Sequence, residues 1–267
     1  MVGLCGPVLF VLCKTQECVF CRRWSENHPL IPEDVAHLLH IGIIASQGAR
    51  SDHSSLVYLA SKECGIDVEV RMIFDATDLD GCAAVIAPGG ESTTMRLVAG
   101  DLFAACWSML RRDSDVGFLG TCAGLILAAS PGDEGPPLLD VDIERNGWGR
   151  QRDSFTAVLQ SNLDSRYSSQ ESDSAWGSPP LGDGRRSVGI STLESPPRQD
   201  EVAIIRAPRI RSMGPEVEGI AWLEDEVVGV RQHGNRFGLT FHPELTGVLT
   251  YHVALLEACL TSREVTL

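Results

Sequence analysis

The feature that most constrains this chain is Gly120-Thr-Cys-Ala-Gly124, set between an apolar run, Val116-Gly-Phe-Leu119, and a second one, Leu125–Ala129. The first run is short and continuous, as in a strand covered on both faces; the second has the composition of a buried helix. A nucleophile between two glycines, at the turn from strand to helix, has the elbow arrangement. The glycines allow a tight backbone turn where a Cβ would clash. Such a turn holds Cys122 out at the carboxyl edge of a sheet, and the helix that follows points its N-terminus at the sulfur. Its partial positive charge favours thiolate over thiol and stabilises an oxyanion formed nearby. The commonest fate of a free cysteine is burial as a small hydrophobe, and that is expected of Cys64, Cys82, Cys106 and Cys259. The flanking glycines and the strand–turn–helix context set Cys122 apart.

A thiol nucleophile needs a base. Phe241-His-Pro-Glu-Leu245 offers one at the end of an expected strand, about 120 residues downstream. Residues i and i+2 of an extended chain share a face, so His242 and Glu244 can lie side by side with Pro243 stiffening the link. The imidazole takes the thiol proton while the carboxylate holds its other nitrogen and fixes the tautomer. Among the other histidines, His233 and His252 read as surface or helix-end residues. His53 sits in the first turn of an expected helix with no carboxylate partner in view. No H-x-x-x-H or Cys/His cluster points to a metal, and no cofactor is expected.

Around these motifs the chain alternates. Strands are expected at 41–45, 68–72, 83–87 and 116–119, with helices at 52–64 and 93–110 between them. Further strands follow at 202–205, 220–223, 227–230 and 237–241, and a helix at 245–260 closes the pattern. This order implies an α/β fold in three layers, a mixed, mostly parallel sheet with helices on both faces. Residues 1–38 read as an N-terminal extension, and 39–267 as one catalytic domain. That domain carries a low-complexity insertion at about 161–200, where ten Ser, four Pro and four Gly leave few large apolar residues. Such a segment buries too little surface to offset its ordering entropy.

Net charge is −14, which repels phosphate backbones and argues against nucleic acid as a partner. The nine cysteines lack the dense, regular spacing of a secreted disulfide framework, and none falls between 123 and 258. A reduced, cytoplasmic protein is expected. Cys18 and Cys21 form a lone CxxC without a second pair or a strand–helix frame. The longest early apolar run, Val8–Leu12, is far short of the ~20 residues of a membrane-spanning helix, so no membrane association is expected.

Six collinear segments carry a family resemblance: Ser46-Gln-Gly-Ala49 with His53, Pro88-Gly-Gly-Glu-Ser-Thr-Thr94, Gly120–Ile126, Glu144–Gln151 with Asp153-Ser-Phe155, Ile205-Arg-Ala-Pro208, and Phe241–Thr246. Together they resemble the class I (triad) glutamine amidotransferases, and most closely the glutaminase subunits of pyridoxal 5′-phosphate synthase. GTCAG or FHPE alone marks only the wider superfamily; PGGESTT, the GRQ-x-DSF block and IRAP point to the subfamily. The resemblance implies a flavodoxin-like fold and hydrolysis of L-glutamine by a Cys122–His242–Glu244 triad. It also implies delivery of the ammonia to a (β/α)₈-barrel synthase subunit, whose product, pyridoxal 5′-phosphate, is not a cofactor of this chain. Gly90, Glu91, Ser92, Arg150, Ile205 and Arg206 match the residues that hold glutamine. Charge alone assigns Glu91 to the substrate ammonium and an arginine fork to its carboxylate. Gly89 and the N–H of Ala123 would form an oxyanion hole, which the segment at Gln47 and Gly48 completes when the synthase docks. Two other readings stand beside this one: a regulatory or scaffolding subunit without turnover, and a cysteine hydrolase of the DJ-1/PfpI kind.

Overall fold

The computed structural model of the chain describes residues 38–163 and 200–264. The expected extension at 1–38, with its CxxC, and the insertion at 161–200 lie almost wholly outside these residues. Strands β1 (Leu39–Ile44), β2 (Val68–Ile73), β3 (Cys82–Ala87) and β4 (Gly117–Thr121) form the first half of a nine-stranded sheet. Its order is β2-β1-β3-β4-β11-β10-β9-β6-β7, where β6 is Phe155–Ser161, β7 Asp200–Ile204, β9 Val217–Leu223, β10 Glu226–Gln232 and β11 Arg236–Leu239. The five strands from β2 to β11 run parallel, and the remaining four extend the sheet antiparallel. A separate ribbon pairs β5 (Val141–Glu144) with β8 (Arg209–Met213).

Helices cover both faces, as the alternation implied. One face buries α1 (Arg50–Cys64) and α4 (Thr250–Glu264) in a core with Leu39, Ile41, Ile86 and Leu119. The other buries α2 (Ser92–Arg112) and α3 (Ala123–Ala129), where Phe103, Trp107 and Phe118 stack and cross. Every residue of β3 is buried, which is why its sequence reads as an unbroken apolar run. Helix α1 ends at Gly65, whose left-handed backbone (φ 67°) lets its N–H close on the carbonyls of Ser61 and Lys62.

Three strands escaped the sequence reading. The side chains of β5, β6 and β8 are largely exposed or half-exposed, so the two ribbon strands and the second strand from the sheet's edge carry no continuous apolar run. The last helix begins later than expected: Pro243–Leu245 is a 3₁₀ turn, and Gly247 (φ 77°) breaks the chain before α4 starts at Thr250. No helix among the described residues is long and apolar enough to cross a membrane.

Candidate active site

Strand β4 ends at Thr121 and α3 starts at Ala123, so Cys122 alone makes the turn. Its backbone is strained, with φ 48° and ψ −101°, a conformation that non-glycine residues rarely adopt. Two close approaches enforce it. A Cβ on Gly124 would lie 2.0 Å from the Ala87 carbonyl oxygen, and one on Gly120 would lie 2.9 Å from the backbone of Gly124 and Leu125. The Cys122 N–H bonds the Leu239 carbonyl at 2.8 Å, which ties the turn to β11. The first N–H groups of α3, beginning with Ala123, have no partner within the helix.

Beyond β11, the chain carries His242 to the same edge. Its N–H bonds the Ala203 carbonyl at 2.9 Å, so the end of this segment is held to β7. The expected extended link to Glu244 is not what forms. His242 instead caps the 3₁₀ turn, with Pro243 at its first position, where a missing N–H costs nothing. The contact is made all the same: His242 Nδ1–H donates to Glu244 Oε1 at 2.7 Å. The Cys122 side chain is close enough to the imidazole to favour its protonated form as well. Burial alone would lower the His242 pKa, but the Glu244 carboxylate, the nearby Cys122 and the bond to Glu244 raise it above the ordinary value. Burial opposes ionisation of Glu244 too, yet His53 and His242 hold its carboxyl below the usual range. Cys122 and the bonded His242–Glu244 pair are all buried, between 3% and 9% exposed.

The remaining sequence-derived residues fall into two groups around these three. Gly89 abuts the Cε1 edge of the imidazole, since a Cβ there would sit 2.3 Å from His242 Cε1. Ile205 offers its carbonyl to the Cys122 thiol at 3.8 Å, and Arg206 follows it, exposed, in a left-handed conformation (φ 48°). In the second group Gln47 Oε1 accepts from the Glu91 N–H at 2.7 Å, and Gly48 lies against the Gly89 carbonyl. The Gln47-Gly48 and Gly89-Gly90-Glu91 segments are thus one unit. A Cβ on Gly90 would strike the Gln47 side chain. Ser92 is buried at the start of α2. Arg150 lies exposed on a turn closed by its own N–H to Asp153, and Trp148 of the same turn bonds the Ala207 carbonyl.

Glu91 has a task that its charge did not disclose. It caps α2, its carboxylate accepting from the N–H groups of Thr93 and Thr94 and from the Thr94 hydroxyl. Arg145, which the sequence reading passed over, lies 3.8 Å from that carboxylate and bonds the Ser92 and Thr93 hydroxyls. Nothing in its spacing marked it.

The histidines bring two corrections. His53 does have a carboxylate partner, because its Nε2 lies 3.6 Å from Glu244 Oε2. His252 lies at a helix end, as expected, but not at the surface: it is fully buried, and its Nε2 meets His53 Nδ1 at 3.0 Å. Both lie on helices that pack together, and no sequence spacing connects positions so far apart. Among the described residues, no group of His, Cys, Asp and Glu is arranged to hold a metal ion. Cys82, Cys106 and Cys259 are buried as expected, while Cys64 is half-buried.

A strained cysteine at a strand–helix turn, with a buried His–Glu pair on a parallel sheet, is the arrangement of a triad amidotransferase. Comparison with known proteins gives the same class. Residues 43–170 match the model of the SNO glutamine amidotransferase family. Three relatives bear the name pyridoxal 5′-phosphate synthase subunit PdxT. That of Methanosarcina barkeri is 35% identical, covering 82% of this chain and 97% of its own. That of Methanosarcina mazei is 36% identical, over 83% and 99%. That of Pyrococcus abyssi is 35% identical, over 83% and 100%. A solved glutamine amidotransferase aligns with a TM-score of 0.60 at 29% identity, covering 82% of this chain and 98% of that one. The chain belongs to the SNO glutamine amidotransferase family, the family of these PdxT subunits.

Proposed function

We propose that the protein hydrolyses L-glutamine to L-glutamate and ammonia, and passes the ammonia to a (β/α)₈-barrel synthase subunit that makes pyridoxal 5′-phosphate. The observation that carries this reading is the strained Cys122 turn beside the buried, bonded His242–Glu244 pair, in a chain of this family. His242 takes the thiol proton as sulfur attacks the side-chain amide carbon, and Glu244 steadies the imidazolium that forms. The oxygen of the tetrahedral intermediate points to the Ala123 N–H and the backbone at Gly89 and Gly90. His242 returns the proton to the departing ammonia, leaving a γ-glutamyl thioester. A water deprotonated by His242 then cleaves it to glutamate and free thiol.

Glutamine recognition falls to the Gly90-Glu91-Ser92 loop, Ile205, Arg206 and Arg150. Glu91 accepts three hydrogen bonds as a cap, and a carboxylate has about four lone-pair sites, so it retains room for the substrate ammonium. The docking of Gln47-Gly48 on the Gly89 loop supports a coupling in which the synthase, by moving the first segment, sets the second. A reducing compartment such as the cytoplasm suits a free thiol nucleophile. The test is to mix the purified protein with its synthase subunit and assay glutamate and pyridoxal 5′-phosphate together. Wild type releases both, and Cys122→Ala releases neither from glutamine. Complex formation without glutamate release by wild type would instead mark a scaffold.

A further inference from the structure

Behind the catalytic residues lies a second pair of buried polar groups that the proposed chemistry does not use. His53, in the first turn of α1, and His252, in the first turn of α4, are both completely buried. Their rings are 5.2 Å apart and tilted by 44°. His53 Nδ1 meets His252 Nε2 at 3.0 Å, while His53 Nε2 faces Glu244 Oε2 at 3.6 Å and Thr121 Oγ1 at 3.4 Å. Thr121 immediately precedes Cys122. Two imidazoles are thus sealed from solvent between the helix pair and the end of β4. Burying polar rings costs free energy unless they are hydrogen-bonded, so the arrangement calls for a physical reason.

We infer that His53 is a positioning residue of the glutaminase: its Nε2–H aims the second oxygen of Glu244, and His252 locks the tautomer that puts the proton there. The hydrogens can be counted. Ionised Glu244 only accepts, so a favourable contact requires the proton of His53 to be on Nε2. His53 Nδ1 is then an acceptor, which His252 must meet with Nε2–H. His252 Nδ1, which has no hydrogen-bond partner, is left as a bare acceptor. The opposite tautomers would leave an N–H orphaned there instead, the rarer and costlier defect in a buried site. In this assignment His53 Nε2–H has Thr121 Oγ1 at 3.4 Å as its hydrogen-bond acceptor and faces Glu244 Oε2, which has no hydrogen-bond partner of its own, at 3.6 Å.

Burial keeps both distal rings neutral: it pushes the His53 and His252 pKa values down, and His252 falls to about 3. The charged and titratable groups that face Glu244 are His242, His53, His252 and Asp52. Without the His53 N–H, Glu244 loses a group that favours its ionised form. Its folded-state pKa then rises, and activity that needs the carboxylate is lost at higher pH as the solution is acidified.

This inference rests on the glutaminase reading. Its test uses His53→Leu and His53→Asn, which cannot place a donor at Nε2, and His53→Gln, whose amide reaches that position. In the complex with the synthase, the first two variants should lower kcat roughly 10- to 100-fold, as loss of an orienting partner commonly does, with KM for glutamine within about twofold. Their acid limb should move to higher pH. His53→Gln should recover about tenfold of the loss and move the limb back. Equal kcat and an unmoved acid limb in all three variants, or His53→Gln no better than His53→Leu, would overturn the assignment. The rate of Cys122 alkylation by iodoacetamide against pH, read on the same proteins, supplies a turnover-free measure. A wild type that releases no glutamate would sink the glutaminase reading, while an unchanged alkylation profile across the variants would sink this one.

Discussion

Two glutamates of this protein are held ionised by opposite means. Glu91 is half-exposed at the start of α2, and donors two and three residues along the chain depress its pKa to about 2: the Thr94 N–H and hydroxyl first, then the Thr93 N–H. Glu244 is fully buried, where desolvation works against its charge, and groups from α1 and the β11–α4 connection overcome that penalty. The first carboxylate is a local device that any helix N-terminus could use. The second exists only when distant segments are folded together. Removing Glu91 should therefore cost some stability and, through the glutamine loop, raise KM, whereas removing Glu244 should be felt as chemistry.

The sharpest way to break that contrast is Glu244→Gln. The amide keeps the size of the side chain but presents no carboxylate to His242 Nδ1 and nothing to balance an imidazolium. An analogous acid-to-amide change in serine proteases costs about 10⁴-fold in kcat by leaving the wrong tautomer. A fall of about 10²- to 10⁴-fold is expected here, read from glutamate release in the presence of the synthase. A loss of less than about fivefold would mean that the buried carboxylate is structural after all.

Next in size is Gly89→Ala, which touches the same pair from the loop that joins the two regions. The added methyl would lie 2.3 Å from Cε1 of His242 and 3.1 Å and 3.3 Å from its ring nitrogens, so the imidazole must tilt. A displacement on the order of 1 Å at a catalytic base costs about 10²-fold, and that is the expected fall in kcat. Gly65→Ala is the matched control. A Cβ there meets nothing within 4 Å, and the left-handed backbone (φ 67°) alone makes the change unfavourable. It should cost about 1–2 kcal/mol of stability while kcat stays within about twofold.

The same contrast explains what the sequence disclosed. Cys122 was legible because its whole environment is local: an apolar strand, two glycines and an apolar helix within fifteen residues. His242 and Glu244 were legible as a pair, although the 3₁₀ turn that joins them was not. His53, His252 and Arg145 were not legible as partners of the site, since each acts across the fold on groups far away in the chain. The parallel half of the sheet declared itself through unbroken apolar runs such as β3, whereas β5, β6 and β8, mostly solvent-facing, left no periodicity to find. What sequence patterns encode is burial of a face; what they leave out is which buried polar groups will meet.

The smallest effect belongs to the local carboxylate. Glu91→Ala removes a cap that satisfies two backbone N–H groups of α2, worth about 1 kcal/mol when buried and less at a side chain 39% exposed to screening solvent. The melting temperature should drop by about 2 °C at neutral pH. The pH dependence identifies the cause. Glu91 is depressed in the folded state, from an ordinary 4.5 to about 2. Its contribution is therefore complete above 4.5 and disappears as pH falls toward 2. The gap in melting temperature between wild type and Glu91→Ala should be constant from neutral pH to about 5 and should narrow below that. A gap that persists undiminished in acid would show that the variant loses packing rather than the charged cap, and would weaken the distinction between a carboxylate fixed by its neighbours in sequence and one fixed by the fold.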